Sequence, residues 1–184
     1  MKPERSDLTD AELVTLIKAG QIEAFNDIFF RYQTKIFSFL CGLVQNRHTA
    51  EDLAQNAFLS CYKAIGKWQA TGSFKNWLYK IAYREALGYF KKQKRNLEVF
   101  TDEGEVPDIV DDRDDILVDL VNKETVDKAL AGINEIYRTV LLLRYYNELS
   151  YEEIAEATEL PINTVRTHLR RAKQALQKYL ISNI

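Results

Sequence analysis

The sequence predicts an all-α protein made of two small helical domains joined by a flexible acidic linker. Only seven glycines and three prolines interrupt its 184 residues, and no run of alternating β-branched residues predicts a strand. Apolar residues recur three and four positions apart, which is the spacing of one face of an α-helix. We expect a first domain over residues 9–97, a linker over 98–124 and a second domain over 125–184.

The distribution of charge supports this division. Residues 1–97 carry fifteen Lys and Arg against nine Asp and Glu, residues 98–127 carry two against twelve, and residues 128–184 carry eight against six. The net charge of −2 therefore hides two cationic blocks separated by an acidic one. A segment so acidic and so poor in helical apolar spacing is typical of a flexible tether.

The first domain holds four predicted helices. Their expected spans are Thr9 or Asp10 to Ala19, about 21–44, Thr49 to Ile65, and Ser73 to Lys94. Gly20 and Gly66 end the first and third helices. Ser73 is expected to cap the fourth, because its hydroxyl can accept from a free N–H of the first turn.

The fourth predicted helix interleaves aromatic and cationic residues. One side, with Phe74 and Leu78, is expected to face a core, while Tyr79, Tyr83 and Phe90 lie on another side. Rings among cations suit single-stranded nucleic acid, because bases stack on rings while cations follow the phosphates. The alternative is that the rings complete a helical core and the cations are simply solvated. For the helix as a whole we favour nucleic acid.

The C-terminal residues predict a helix-turn-helix that places its second helix in the major groove of DNA. Ser150 and Glu153 form a capping box, Pro161 ends the first helix, and Asn163 is expected to cap the second. An apolar stripe runs along the second helix at Val165, Leu169, Ala172 and Leu176. The remaining surface carries groups that can contact base edges or phosphates: Thr164, Arg166, Thr167, Arg170, Arg171 and Lys173. The alternative is a solvated basic face on a core helix.

Other features set the cellular and chemical expectations. No apolar window is long enough to span a bilayer and no secretory signal precedes the first helix, so we expect a cytoplasmic protein without membrane insertion. Cys41 and Cys61 are expected to be buried free thiols, and we predict no metal site, cofactor or catalytic residue. His48 is expected to be solvated, and His168 is expected to pack or to contact phosphate and not to act in catalysis.

Two blocks of the sequence resemble a known family. AEDLAQNAFLSCYKAIGKW (50–68) and FKNWLYKIAYREALGYFKKQKR (74–95) resemble region two of the bacterial sigma-seventy family, and RTVLLLRYYNELSYEEIAEATELPINTVRTHLRRAKQAL (138–176) resembles region four. No region-three domain lies between them. This layout resembles the extracytoplasmic-function, or group-four, sigma factors, which are promoter-specificity subunits.

The resemblance implies partners and site residues. It implies binding to core RNA polymerase at the clamp coiled coil and the flap, to promoter DNA, and to an inhibitory anti-sigma factor. It assigns polymerase binding to Asp52, Leu53, Gln55 and Phe58. It assigns recognition and opening of the minus-ten element to Trp68, Ser73, Lys75, Tyr79, Tyr83, Arg84, Lys91 and Lys92. It assigns the minus-thirty-five element to the six residues of the helix-turn-helix named above.

The chain departs from the family pattern at two positions. Many members carry Asn where Arg84 stands and Asp where Gly88 stands, so the details of minus-ten recognition are left open. Two other classes of protein remain as alternatives. A regulator with a LuxR-like helix-turn-helix shares the pattern from Asn163 to His168, but its sensor domain needs strands. A nucleic-acid enzyme lacks support, because no phosphate-binding glycine loop is present.

Overall fold

The computed structural model describes residues 7–96 and 128–182, and these ranges contain helices and turns but no strand. The expected linker lies outside the described residues. The helices are α1 (Asp10–Lys18), α2 (Ala24–Val44), α3 (Arg47–Ala64), α4 (Phe74–Asn96), α5 (Glu135–Leu141), α6 (Tyr151–Thr158) and α7 (Ile162–Ser182). A 3-10 turn (Ile65–Lys67) follows α3, and a π-helical turn (Leu142–Tyr146) follows α5. The all-α prediction is confirmed, and the strands of a receiver domain are missing from the part described.

Helices α1 to α4 pack into the first bundle, and their ends follow local capping chemistry. Thr9 and Glu12 form a capping box at the start of α1, which stabilises the helix by satisfying two free N–H groups. Helix α3 begins at Arg47 and not near Thr49, because the side chain of Asn46 accepts from the Thr49 N–H at 3.0 Å. That expected boundary was therefore wrong by about half a turn.

Helices α5 to α7 form the second bundle. The predicted capping box at Ser150 and Glu153 is confirmed, with Ser150 N donating to Glu153 Oε2 at 2.7 Å. The expected cap at Asn163 is wrong, since α7 already begins at Ile162. The Pro161 carbonyl accepts from the N–H groups of residues 164 and 165, so the proline itself starts the helix.

The two bundles pack against each other. Helix α4 lies along α6, and the C-terminal part of α2 lies against the π-helical turn. At that contact Gly42 is so close to Leu142 that an added Cβ would lie 3.0 Å from its methyl carbon. Any other residue here would require the Leu142 side chain to shift by a few tenths of an ångström, so glycine permits the close approach without that shift. The structure therefore brings both predicted DNA-binding elements into one body.

Arg138 joins the bundles from inside. Its guanidinium is buried and donates to the carbonyl oxygens of Leu130 at 2.7 Å, Leu43 at 2.7 Å, Ala131 at 2.9 Å and Ile133 at 3.0 Å. Leu43 belongs to the last turn of α2, whose carbonyls have no partner within the helix. A side chain of the second bundle thus completes the end of a helix in the first.

The remaining expectations concern thiols and membranes. Cys61 is buried, and burial raises the pKa of its thiol to about 12, so it stays protonated and unreactive. Cys41 is only partly buried, so the expectation of two buried thiols is correct for Cys61 alone. Among the residues described, no helix combines the length and apolar character needed to cross a bilayer.

Candidate nucleic-acid interface

The second helix of the helix-turn-helix, α7, is anchored by the apolar stripe that the sequence predicts. Val165, Leu169, Ala172 and Leu176 are all buried, against α5 and α6. Because residues spaced four, three and four apart lie on one side of a helix, burying this stripe turns the opposite side outward. The orientation of α7 therefore depends on packing within its own bundle.

The outward side of α7 carries the predicted minus-thirty-five residues. Arg166 is exposed, while the other five are partly exposed: Thr164, Thr167, Arg170, Arg171 and Lys173. The Thr167 hydroxyl donates to the Asn163 carbonyl at 2.9 Å, and the Lys173 ammonium lies 5.8 Å from the centre of the Tyr145 ring. The structure thus brings all six onto one cationic surface.

His168 packs at the edge of this surface. Its ring lies 5.4 Å from the ring of Tyr137, and its buried Nδ1 forms no hydrogen bond with the described residues. Burial, and to a smaller degree the neighbouring Arg171, lower its pKa from the ordinary 6.5. A neutral packing role follows, which is one of the two roles that the sequence left open.

The loop before α4 is held by its own aromatic contacts. Trp68 is buried, its ring lies 5.5 Å from that of Phe74, and its carbonyl accepts from Lys18 Nζ at 2.5 Å. Ser73 is exposed, and its hydroxyl accepts from the Asn76 N–H at 3.4 Å, so it caps α4 as predicted. Of these two minus-ten candidates, only Ser73 is open to a ligand in this arrangement.

Two of the three tyrosines of α4, Tyr79 and Tyr83, are buried, contrary to the expectation that their rings are available to bases. Tyr79 packs edge-on against Phe39 at 5.5 Å, and its hydroxyl donates to Asn147 Oδ1. Tyr83 is buried beside Glu135 and Thr139 of α5, and burial raises its pKa to about 12. The Tyr79 hydroxyl and the Tyr83 side chain therefore reach the second bundle, whose position local helical spacing could not reveal.

The cations of α4 divide into two groups. Lys75 donates to the Asn147 carbonyl at 3.2 Å, and Arg84 donates to both carboxylate oxygens of Glu159 at 2.8–3.1 Å. Lys91 and Lys92, near the other end of the helix, are exposed. The first group therefore faces the second bundle, and the second faces solvent.

The predicted polymerase-binding residues lie on α3 and also divide into two groups. Asp52 and Gln55 are exposed. Leu53 and Phe58 are buried, and the Phe58 ring lies 4.8 Å from that of Phe29 on α2. Asp52 and Gln55 are therefore open to a partner, while Leu53 and Phe58 support the helix from beneath.

Two further residues of α3 extend the exposed pair, and the sequence analysis missed them. Leu59 is 55% exposed and Tyr62 is 41% exposed. With Asp52 and Gln55 they follow a spacing of three, four and three, so the four residues form one stripe, the α3 stripe. On the adjacent α2, Phe30 is 67% exposed. The sequence contained a signal for them, because the spacing that relates Asp52 to Gln55 continues past Phe58 to Leu59 and Tyr62.

Both bundles match described protein families. Residues 28–96 match the family described as "Sigma-70 region 2", and residues 123–176 match the one described as "Sigma-70, region 4". The two matches have the same order in the chain as the two cationic blocks. They cover the α4 surface and the helix-turn-helix.

Curated relatives extend over nearly the whole chain. The ECF RNA polymerase sigma factor SigW of Bacillus subtilis is 35% identical over 173 residues, covering 89% of this chain and 92% of that protein. The RNA polymerase sigma-H factor of Pseudomonas aeruginosa is 32% identical over 181 residues, covering 93% of each.

Solved structures share the fold. The sigma factor RpoE from Bartonella quintana, solved with the anti-sigma factor NepR, gives a TM-score of 0.69 at 20% identity and covers 86% of this chain and 97% of that one. CnrH, solved with the cytosolic domain of CnrY, gives a TM-score of 0.70 at 15% identity and covers 95% and 99%.

Proposed function

Because this chain belongs to the extracytoplasmic-function group of the sigma-70 family, we propose that it is a promoter-specificity subunit of RNA polymerase. In this role it binds the core enzyme, recognises the minus-ten and minus-thirty-five elements and starts transcription, without catalysing a bond change itself. The observation that carries the proposal is the pair of family blocks in the right order, each on a helix with an outward cationic side.

For the core enzyme, we propose the α3 stripe as the docking surface. Asp52 and Gln55 supply polar contacts, and Leu59 and Tyr62 supply the apolar area that a stable protein interface needs at its centre. The stripe is exposed in the free protein. We place the clamp coiled coil here, and the flap on the second bundle.

For the minus-thirty-five element, α7 would enter the major groove with Arg166 foremost. Arginine can donate two parallel hydrogen bonds to guanine, and Arg170 and Arg171 can pair with phosphates or bases one turn further on. For the minus-ten element, α4 would supply Lys91, Lys92 and the cations nearer its start. Opening this element requires unstacked bases to be held by protein, at a cost of a few kcal/mol.

We also propose an anti-sigma factor as a regulator and the cytoplasm as the place of action. RpoE from Bartonella quintana, which shares the fold, was solved with the anti-sigma factor NepR, and core polymerase works in the cytoplasm. Co-purification from native cells tests the first point: a partner other than polymerase subunits should be recovered. Repeated recovery with polymerase alone counts against it.

Run-off transcription tests the proposed function. Promoters are identified by sequencing DNA enriched on the polymerase complex that contains this protein, and core enzyme with the pure chain should then yield a transcript that depends on both elements. Absence of such a transcript together with absence of core binding would refute the proposal.

A pair of matched variants tests the docking surface. Leu59→Asp places a charge in the α3 stripe and should abolish core binding. Ile22→Asp makes the same change at another apolar position that is 55% exposed, in the turn before α2, and should leave core binding intact. Equal binding by both variants would remove the stripe from the interface.

A further inference from the structure

Lys18 joins the end of α1 to the loop that precedes α4. Its Nζ donates to the carbonyl oxygen of Trp68 at 2.5 Å, fifty residues further along the chain. The bond is charge-assisted, because the donor is an ammonium group, and such bonds are about twice as strong as those between neutral groups. The contact brings α1, to which the proposed function assigns no residue, next to the predicted minus-ten residues.

The loop is closed at its base by aromatic packing. Trp68 and Phe74, the residues on either side of the segment 69–73, are both buried, and their rings lie 5.5 Å apart. The Trp68 N–H also donates to the Ile65 carbonyl at 3.2 Å, at the end of the 3-10 turn. Every residue between Trp68 and Phe74 is exposed. This segment, the 69–73 loop, is therefore fixed at both ends and open to solvent between them.

Helix α1 is connected to both ends of the 69–73 loop. At the start of the helix, Asp10 accepts from the Tyr32 hydroxyl at 2.5 Å. The Tyr32 ring lies 6.1 Å from that of Phe74, which follows the loop. At the other end of the helix, Lys18 reaches the carbonyl of Trp68, which precedes the loop. The direct hydrogen bond from α1 to the loop region is therefore the one that Lys18 forms.

A loop that receives an unstacked base benefits from being fixed beforehand. Unstacking a base costs free energy, which contacts with the protein must offset. If the loop is ordered only when the base binds, part of the contact energy is lost to that ordering. The 69–73 loop carries an amide at Gln69 and a hydroxyl at Thr71, both exposed. These groups can form hydrogen bonds with a base edge, provided that the loop holds them in place.

We propose that Lys18 is a positioning residue for opening of the minus-ten element: its bond to the Trp68 carbonyl keeps the 69–73 loop in the conformation that receives one unstacked base. Lys18 acts through the loop and does not contact the base itself. The inference rests on the proposed function, which assigns Trp68 and Ser73, just before the loop and at its end, to this element.

Three variants of the full-length chain test the inference, each assembled with core polymerase. Lys18→Met keeps an unbranched side chain and removes the ammonium donor, while Lys18→Arg keeps a cationic donor for the carbonyl. Lys35→Met is the matched control, because it removes the same charge from an exposed position on α2 of the same bundle. Lys18 is also an exposed residue, so all three variants should fold, which circular dichroism checks.

The probe is a fork-junction DNA of a promoter found by the polymerase enrichment. It is a duplex through the minus-thirty-five element and continues as a single non-template strand over the minus-ten element. Its affinity is compared with the affinities of copies in which one minus-ten nucleotide at a time lacks its base. These copies show which base the loop receives, because removing that base removes its contacts with the loop.

Loss of one charge-assisted hydrogen bond lowers an equilibrium constant by about tenfold. Lys18→Met should therefore bind the intact fork about tenfold more weakly than the unaltered chain. On the copy that lacks the received base, the two should bind equally, because the loop then has nothing to hold. Lys18→Arg should recover most of the affinity for the intact fork. Lys35→Met should show the same dependence on each base as the unaltered chain.

A direct contact between Lys18 and a phosphate gives a different pattern. Lys18→Met would then lose the same factor on every copy, and the slope of log affinity against log salt concentration would fall by about one. Equal loss on every copy, or no loss on the intact fork, would overturn the inference. Failure of the proposed function is distinguishable, because the unaltered chain with core polymerase would then bind none of these forks.

Discussion

Arg138 shows how much a single buried residue contributes. Its guanidinium serves four carbonyl oxygens in two bundles, and burial lowers its pKa, although the group stays charged. Replacing it with an apolar residue leaves buried acceptors without donors, which costs about 1–3 kcal/mol for each such group.

We expect Arg138→Met to lower the free energy of unfolding by about 3 kcal/mol, measured by urea denaturation followed by circular dichroism. Arg47→Met is the control: Arg47 is 77% exposed, pairs with Glu51 one turn on and lies 5.4 Å from the centre of the Phe37 ring, so its loss should cost about 1 kcal/mol at most. Equal losses for the two variants would contradict the role given to Arg138.

His168 should make the stability of the fold depend on pH in a direction that can be worked out. Its pKa is lowered in the folded state by burial and then by Arg171, so the unfolded chain binds a proton at higher pH than the folded one. Stability is therefore fully present above pH 6.5, its ordinary pKa, and falls as the pH drops toward the lowered value.

We expect the urea midpoint to fall between about pH 7.5 and about pH 5.5, the range in which histidine titrates, and to fall less in His168→Phe. Phenylalanine keeps a ring against Tyr137 and has no proton to gain. His48→Phe, at a position 99% exposed, should retain the full dependence. If both variants behave alike, another group carries the effect.

At the scale of the element, α7 combines a buried stripe with an outward cationic side. Arg166→Ala should weaken use of the minus-thirty-five element by about 1–3 kcal/mol if the contact is to a base edge. The measurement is run-off transcription from templates with and without that element. Lys178→Ala is the control, because it removes an exposed cation three turns further along. It should still distinguish templates with the element from templates without it.

The sequence predicted elements wherever the cause is local. The capping box at Ser150, the cap at Ser73 and the apolar stripe of α7 all depend on residues within one or two turns of each other, and all three are confirmed. The predictions that were wrong depend on contacts between residues distant in the chain or on backbone acceptors. Tyr79 lies against residue 147, which is 68 positions away in the chain, and Pro161 starts α7 through its carbonyl and not through a side chain.

The residues of the candidate site also fall into those that local helical spacing identified and those that it could not. Helical spacing identified the outward side of α7, since that side is the complement of an apolar stripe. It could not assign the two sides of α4, because both carry apolar groups and the second side is covered by another bundle. Leu59 and Tyr62 were missed because apolar residues are ordinarily assigned to a core, although here they face solvent.

At the scale of the whole molecule, the contact between α2 and the π-helical turn is a place where one substitution should separate the two bundles. Gly42→Leu places a side chain where an added Cβ already lies 3.0 Å from Leu142, and leucine suits a helix better than glycine. The radius of gyration should increase without loss of helix content by circular dichroism. Gly88→Leu is the control, since nothing lies within 4 Å of the Cβ it adds, and it should leave the size unchanged.

The ion pair between Arg84 and Glu159 has a consequence for how related sequences diverge. Position 84 is where this chain departs from the asparagine of many family members, and the structure gives the arginine an acidic partner 75 residues away. Loss of Glu159 leaves Arg84 without this partner, and loss of Arg84 leaves Glu159 with Lys80 alone, so we expect the two positions to be under joint selection. In an alignment of relatives, a cation at 84 should be inherited together with an acid at 159, and chains with asparagine at 84 should be free to vary at 159.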